Sequence, residues 1–255
     1  MKQRSTLVNY ESEITNHGHQ KNLLKIKDRT ELLQRIARYL ILHASFTANI
    51  GLLNGKTGIA IFFYHYARYT KRKIYSDFAD ELIGQIYKEI HINTPLNFKD
   101  GFCGIAWGIE YMIKNNFIEA NADEVLEDLD KRIMEWDVRR ITDYSLATGL
   151  TGIASYVISR LENRKSEHDF IRQDYIFDLI DAMKKNKENT SFPLIETLEN
   201  IVNGEIITKS DNPVLEIVDK TKYNAKKIFE SSRSLGIDKS GYAGIGLKLM
   251  KISYQ

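Results

Sequence analysis

The chain carries a single cysteine, Cys103, and six histidines among 255 residues. One thiol allows no internal disulfide and no thiolate-rich metal cluster, which implies a reducing, cytoplasmic setting. Cys103 stands where a helix begins, a position that lowers a thiol pKa and makes the sulfur reactive; the other reading is a small core residue. Asp100, three residues earlier, is the acid beside it, and the two are the candidate catalytic pair. His65 lies amid Phe62, Phe63, Tyr64, Tyr66 and Tyr69 and reads as a packed or hydrogen-bonded core histidine. His17 and His19 form a His-x-His pair in a polar stretch and read as solvated. Asp100, Glu110, Asp143 and Asp238 are the carboxylates that could work as an acid and base pair on a glycoside, but no spacing singles out two of them. Tyr64, Tyr66, Trp107 and Tyr111 could line a peptide groove or fill a core.

These residues are positioned by a repeat. Gly55-Lys-Thr-Gly-Ile-Ala, Gly101-Phe-Cys-Gly-Ile-Ala, Gly149-Leu-Thr-Gly-Ile-Ala and Gly241-Tyr-Ala-Gly-Ile-Gly are four copies of one element. Their first glycines are 46 (101 − 55), 48 (149 − 101) and 92 (241 − 149) residues apart, so a fifth, decayed copy falls near residue 195. Each glycine pair opens an apolar helix: 59–69, 105–114, 153–161 and 245–252, with Pro193 opening a degenerate one at 194–202. Amphipathic helices alternate with them near 30–46, 74–91, 121–136, 169–187 and 213–231. Their stripes include Ile74, Phe78, Leu82, Ile83, Ile86 and Ile90, or Ala122, Val125, Leu129, Ile133 and Trp136.

Five outer and five inner helices predict an all-α fold, a closed α/α toroid. Its first outer helix (Leu32, Leu33, Ile36, Tyr39, Leu40, Leu42) should pack on its last inner one (Ile245, Leu247, Leu249, Met250, Ile252). Residues 1–28 are expected to form a polar arm, with 29–255 as one domain. The glycines are expected to supply positive φ and room for crowded turns. Lys56, polar and between two of them, is expected to matter little for stability. Asn54, Lys99, Asp100, Thr148, Lys239 and Ser240 precede the glycines and form a polar rim, serving either as helix caps or as a substrate-binding mouth. Inner-helix N-termini gathered at that mouth would favour an anionic group.

A net charge of +2 gives no reason to expect nucleic acid or an anionic membrane surface. The clusters Lys184, Lys185, Lys187 and Lys220, Lys222, Lys226, Lys227 read as solvated faces. The first residues lack the apolar run of a secretory signal, and no run is long enough to span a bilayer.

The glycine elements, in phase over roughly residues 30–255, resemble the lanthionine synthetase C-like family, cyclases that build thioether rings in ribosomally made peptides. The resemblance implies an α/α toroid, a peptide partner from a modification pathway, and a zinc held by two cysteines and one histidine just before repeat glycines. The matching positions here are Leu53 and Asn54, Lys99 and Asp100, Ala147 and Thr148, Lys239 and Ser240, so no zinc is expected. Three functions follow for test: a peptide-binding protein without zinc chemistry, a cyclase with a non-standard site, and a toroid glycoside hydrolase.

Overall fold

A computed structural model describes residues 28–162, 170–185, 192–206, 212–230 and 232–250. Ten α-helices fill these residues and no strand occurs among them. α1 spans 28–44. It is followed by α2 (Lys56–Thr70), α3 (Ile74–Glu89), α4 (Phe102–Lys114), α5 (Ala122–Met134) and α6 (Leu150–Leu161), a 3-10 turn at Val138–Arg140 preceding α6. The rest are α7 (Gln173–Lys184), α8 (Phe192–Val202), α9 (Pro213–Lys220) and α10 (Tyr242–Leu249). Even-numbered helices are the inner set and odd-numbered ones the outer set of an α/α toroid. The expected arm, apart from Asp28, and the His17–His19 pair lie outside the described residues, as does Lys187.

Burial separates the two sets as the periodicity requires. In α4 every residue from Phe102 to Gly108 is buried, whereas α5 buries Leu126, Leu129, Asp130 and Ile133, one stripe at helical spacing. Ile74, Val125 and Trp136, expected on such stripes, are instead exposed: Ile74 is the first residue of α3, the buried arc of α5 is centred one position beyond Val125, on Leu126, and Trp136 lies past the end of α5. Leu42 likewise leaves the apolar face of α1. The fifth outer helix is much shorter than the expected 213–231. Thr221 turns back to hydrogen-bond Ile217 O at 2.9 Å and adopts extended ψ, so the helix ends there, and Ile228 and Phe229 reach the core from a turn instead.

The inner helices pack side by side, and the last of them returns to the first. A Cβ on Gly108 of α4 would lie 2.3 Å from Thr57 of α2, and one on Gly246 of α10 would lie 2.3 Å from the Phe62 ring of α2. These glycines let backbones approach where any side chain would collide. Tyr39 of α1 meets Tyr242 of α10 with ring centroids 4.4 Å apart, and Phe229 stacks on the same ring at 5.5 Å. The chain's first and last described helices are therefore neighbours, as their apolar stripes predict. Between α5 and α6, Arg160, fully buried, is held by Asp130 at 2.9 Å and Asp123 at 2.7 Å, and the Tyr156 hydroxyl donates to Asp130. No described helix is long and apolar enough to cross a membrane.

Candidate functional site at the toroid mouth

Each inner helix of a glycine repeat begins from a loop that doubles back over its own N-terminus. The Asn49 and Ile50 carbonyls accept from Lys56 and Thr57 N–H at 2.9 and 3.3 Å. Pro95 and Leu96 do the same for Phe102 and Cys103 at 2.8 and 3.1 Å, and Asp143 for Leu150 at 2.9 Å. Ser234 and Leu235 serve Tyr242 and Ala243 at 3.0 and 3.1 Å. These bonds satisfy N–H groups that a helix start leaves without partners. Asn54, Asp100, Thr148 and Ser240 make no side-chain cap, since the residue at the cap is glycine in α2, α4, α6 and α10. The expected bare N-termini facing an anion are accordingly filled by the protein's own carbonyls.

The same loops explain the glycines, and the explanation differs from positive φ. Gly55, Gly101, Gly149 and Gly241 have φ of −130, −119, −117 and −71°, all open to any residue. What they lack is room. A Cβ would sit 2.1 Å from Asn49 O, 1.9 Å from Pro95 O and 2.2 Å from Asp143 O, in each case the carbonyl six residues back. The second glycines repeat the pattern: Gly58 against Leu52 O at 2.2 Å, Gly104 against Phe98 O at 1.9 Å, Gly152 against Leu146 O at 2.3 Å.

Neighbouring loops are also stitched together around the rim. Leu53 N–H donates to Lys99 O at 2.9 Å, and Lys99 N–H to Ala147 O at 2.8 Å. These are equivalent positions in three successive repeats. Ile237 N–H donates to Leu52 O at 3.3 Å and Ser234 Oγ to Leu53 O at 3.2 Å, which ties the last repeat to the first. Among the described residues, the loops of the first, second, third and last repeats therefore form a hydrogen-bonded collar.

Three of the rim residues form one cluster on this collar. The Asp100 carboxylate accepts from Asn49 Nδ2 at 2.9 Å and Asn54 Nδ2 at 3.5 Å, with Lys99 Nζ at 3.8 Å. Asn49 was not among the residues singled out by sequence, yet it stands six before Gly55 as Pro95 and Asp143 stand six before their glycines; its Oδ1 also holds Gly51 N–H at 2.8 Å. Thr148 belongs to the third loop. Its hydroxyl donates to Asp143, which also takes Ser145 N–H at 2.7 Å, and these bonds hold the Asp143 carboxyl below the usual carboxylate range. In the fifth loop, Asp238 accepts from Lys239 N–H at 2.7 Å and Ser240 O from Arg233 at 3.3 Å, with the Lys239 side chain exposed.

Cys103 lies apart from this rim. Its side chain is 0% exposed, and burial, reinforced by Asp130, pushes its thiol up, the opposite of the activated thiolate that a helix start can produce. Glu110 is buried two turns further down α4, with Lys114 at 3.5 Å and Arg160 at 3.8 Å, and burial raises its carboxyl above the usual range. It is bonded to none of the rim acids: Asp143 and Asp238 are engaged within their own loops, and Asp100 by Asn49 and Asn54 of the neighbouring loop. Tyr64, Tyr66, Trp107 and Tyr111 are all core residues. The His65 ring nitrogen Nε2 lies 2.8 Å from the Tyr111 hydroxyl, and burial, then Arg68, pushes its pKa down to about 3.

A Cys2His zinc does not fit these positions. Leu53 and Ala147 offer no donor, Lys99 and Lys239 bring positive charge, Asn54, Thr148 and Ser240 bring neutral amide or hydroxyl groups, and Asp100 alone is of a ligating type. Among the described residues no three of His, Cys, Asp or Glu gather to hold a metal. Comparison with curated proteins returns no match. A family profile described as lanthionine synthetase C-like protein matches residues 47–204, which take in the first three glycine repeats and the collar they build. With more than half of its length matched and the helical pairs in phase, the chain belongs to the lanthionine synthetase C-like family.

Proposed function

We propose that this protein binds a ribosomally made peptide at the toroid mouth, within a cytoplasmic peptide-modification pathway, without zinc-dependent ring closure. The observation that carries the reading is the chemistry of the collar. At positions where the resemblance implies thiolate and imidazole ligands, the protein places Asp100, hydrogen-bonded by Asn49 and Asn54, beside the Lys99 ammonium. Such a cluster offers an ammonium and a carboxylate to a peptide's carbonyls and amides. Because the loops are tied to one another, these groups are ordered before the ligand arrives, which lowers the entropy cost of binding. Cyclase chemistry with Cys103 has no support in a sealed, protonated thiol, and a two-carboxylate hydrolase has none in rim acids held in separate loops.

The test uses a fluorescein-labelled peptide containing cysteine and dehydroalanine. The expected result is saturable anisotropy that is insensitive to EDTA, weakened by Lys99→Ala, with the peptide thiol titre constant over hours. Consumption of the thiol that requires both enzyme and zinc would make the protein a cyclase and sink the reading.

A further inference from the structure

The dipeptide Asn-Gly occurs twice in the chain, at Asn54-Gly55 and at Asn203-Gly204, and the fold treats the two in opposite ways. Asparagine followed by glycine readily loses its side-chain amide, because the next backbone nitrogen can attack the side-chain carbon Cγ and glycine has no Cβ to obstruct the approach. The attack needs that nitrogen freed from its hydrogen bond and the intervening peptide turned toward the side chain.

At Asn54-Gly55 neither movement is available. Gly55 is buried, its N–H donates to Gly51 O at 3.2 Å, and a Cβ there would lie 2.1 Å from Asn49 O, so main chain already packs against it. Asn54 Nδ2 lies 3.5 Å from Asp100, and Leu53 N–H is tied to Lys99 O at 2.9 Å. The following residue, Lys56, is buried and its ammonium holds Glu89 at the end of α3 at 2.5 Å. Turning this peptide means opening the collar.

Asn203-Gly204 follows directly on α8, and both residues are exposed. Gly204 adopts a φ of +83°, the left-handed conformation that ends helices, and nothing lies within 4 Å of where its Cβ would stand. Its N–H donates to Ile201 O at 3.0 Å, and Glu205 N–H to Asn200 O at 2.9 Å. These two bonds close the last turn in contact with water, where helix ends open at little cost.

We infer that Asn203-Gly204 is a site of spontaneous deamidation that alters the end of α8 irreversibly as the protein ages, while the collar protects Asn54-Gly55. Base takes the Gly204 N–H proton, the nitrogen bonds to Asn203 Cγ, and the Cγ–Nδ2 bond breaks as ammonia leaves with a proton from solvent. Water then opens the five-membered imide at either carbonyl, giving aspartate or isoaspartate, so the net change is asparagine plus water to acid plus ammonia. Either product puts a carboxylate at a helix C-terminus, where the macrodipole opposes it. Isoaspartate also adds a carbon to the main chain, and the two bonds of the last turn no longer match.

The native full-length protein, held in mildly alkaline buffer for weeks, is digested in acid, which halts the reaction, and mapped by mass spectrometry beside a sample kept in guanidinium chloride. In the native sample Asn203 should convert at least about tenfold faster than Asn54, and in the denaturant the two should convert at similar rates. Asn203→Gln keeps an exposed amide but cannot form the five-membered ring; it should keep the wild-type melting temperature and lose the fast ammonia release. Amide exchange of the aged native protein should show protection lost at Gly204 and Glu205 and retained in α2. Asn54 converting as fast as Asn203 in the native protein would overturn the inference, as would an Asn203 that stays intact while the unfolded chain converts, or ammonia release unchanged in Asn203→Gln.

Discussion

Alanine at Gly101 and at Gly84 should move stability in opposite directions. Gly101 has an extended backbone, so alanine adds no φ strain; the cost is the collision of its Cβ with Pro95 O at 1.9 Å. The carbonyl must retreat by more than an ångström, and it is the acceptor for Phe102 N–H at 2.8 Å. Losing that bond at a buried amide costs about 1–3 kcal/mol, and overpacking adds a similar amount. The sum, about 2–5 kcal/mol, is a large part of a domain's net stability and lowers the melting temperature by roughly 5–20 °C. Gly84 sits on the exposed face of α3 with nothing within 4 Å of a Cβ, so alanine there gains helix propensity and stabilises by about 0.5–1 kcal/mol. Thermal unfolding followed by calorimetry reads both. A Gly101→Ala protein melting within two degrees or so of wild type would refute the account of the repeat glycines.

Three further outcomes follow from the same geometry. Glu89→Ala strands a buried ammonium and should cost about 2 kcal/mol, more than Lys56→Met, which removes the charge and keeps the stem; urea titration of both variants and their double mutant reads the difference, and equal costs would contradict it. His65 should stay neutral by NMR from pH 7.5 to 5. Its folded pKa lies below the unfolded value, so stability should fall as pH drops below about 6.5 with a slope approaching 1.4 kcal/mol per unit, a slope missing in His65→Gln; an imidazole titrating near 6.5 would refute this. Tyr242→Ala should reduce amide-exchange protection in α1 as well as in α10, because its ring meets Tyr39; protection lost from α10 alone would mean that the array is open.

The architecture was legible because it is periodic: spacings of 46, 48 and 92 residues located both helix sets, and polarity located the faces. Ends of elements were less so. α9 stops where a threonine hydroxyl recaptures a carbonyl, which no stripe of apolar residues announces. The glycine pairs and their need for room were visible, but the expected positive φ was wrong and the partner in the collision, a carbonyl six residues back, is brought near only by the folded loop. The collar itself is main-chain hydrogen bonding and leaves no trace in residue type. Lys56 was misread as dispensable for a related reason: its partner Glu89 lies 33 residues away, and pairing across helices cannot be seen from local spacing. Cys103 shows the converse error, in which a position at a helix start suggests reactivity until burial is known.

The central claim is a lanthionine synthetase C-like toroid whose mouth is built from a polar collar in place of a zinc site. Mass-spectrometric metal analysis of the protein, purified after growth with added zinc and passed through a desalting column, tests it most directly. The account predicts far less than one zinc per chain, with no change on Asp100→Asn. One zinc per chain that survives the column and is lost in Asp100→Asn would contradict it.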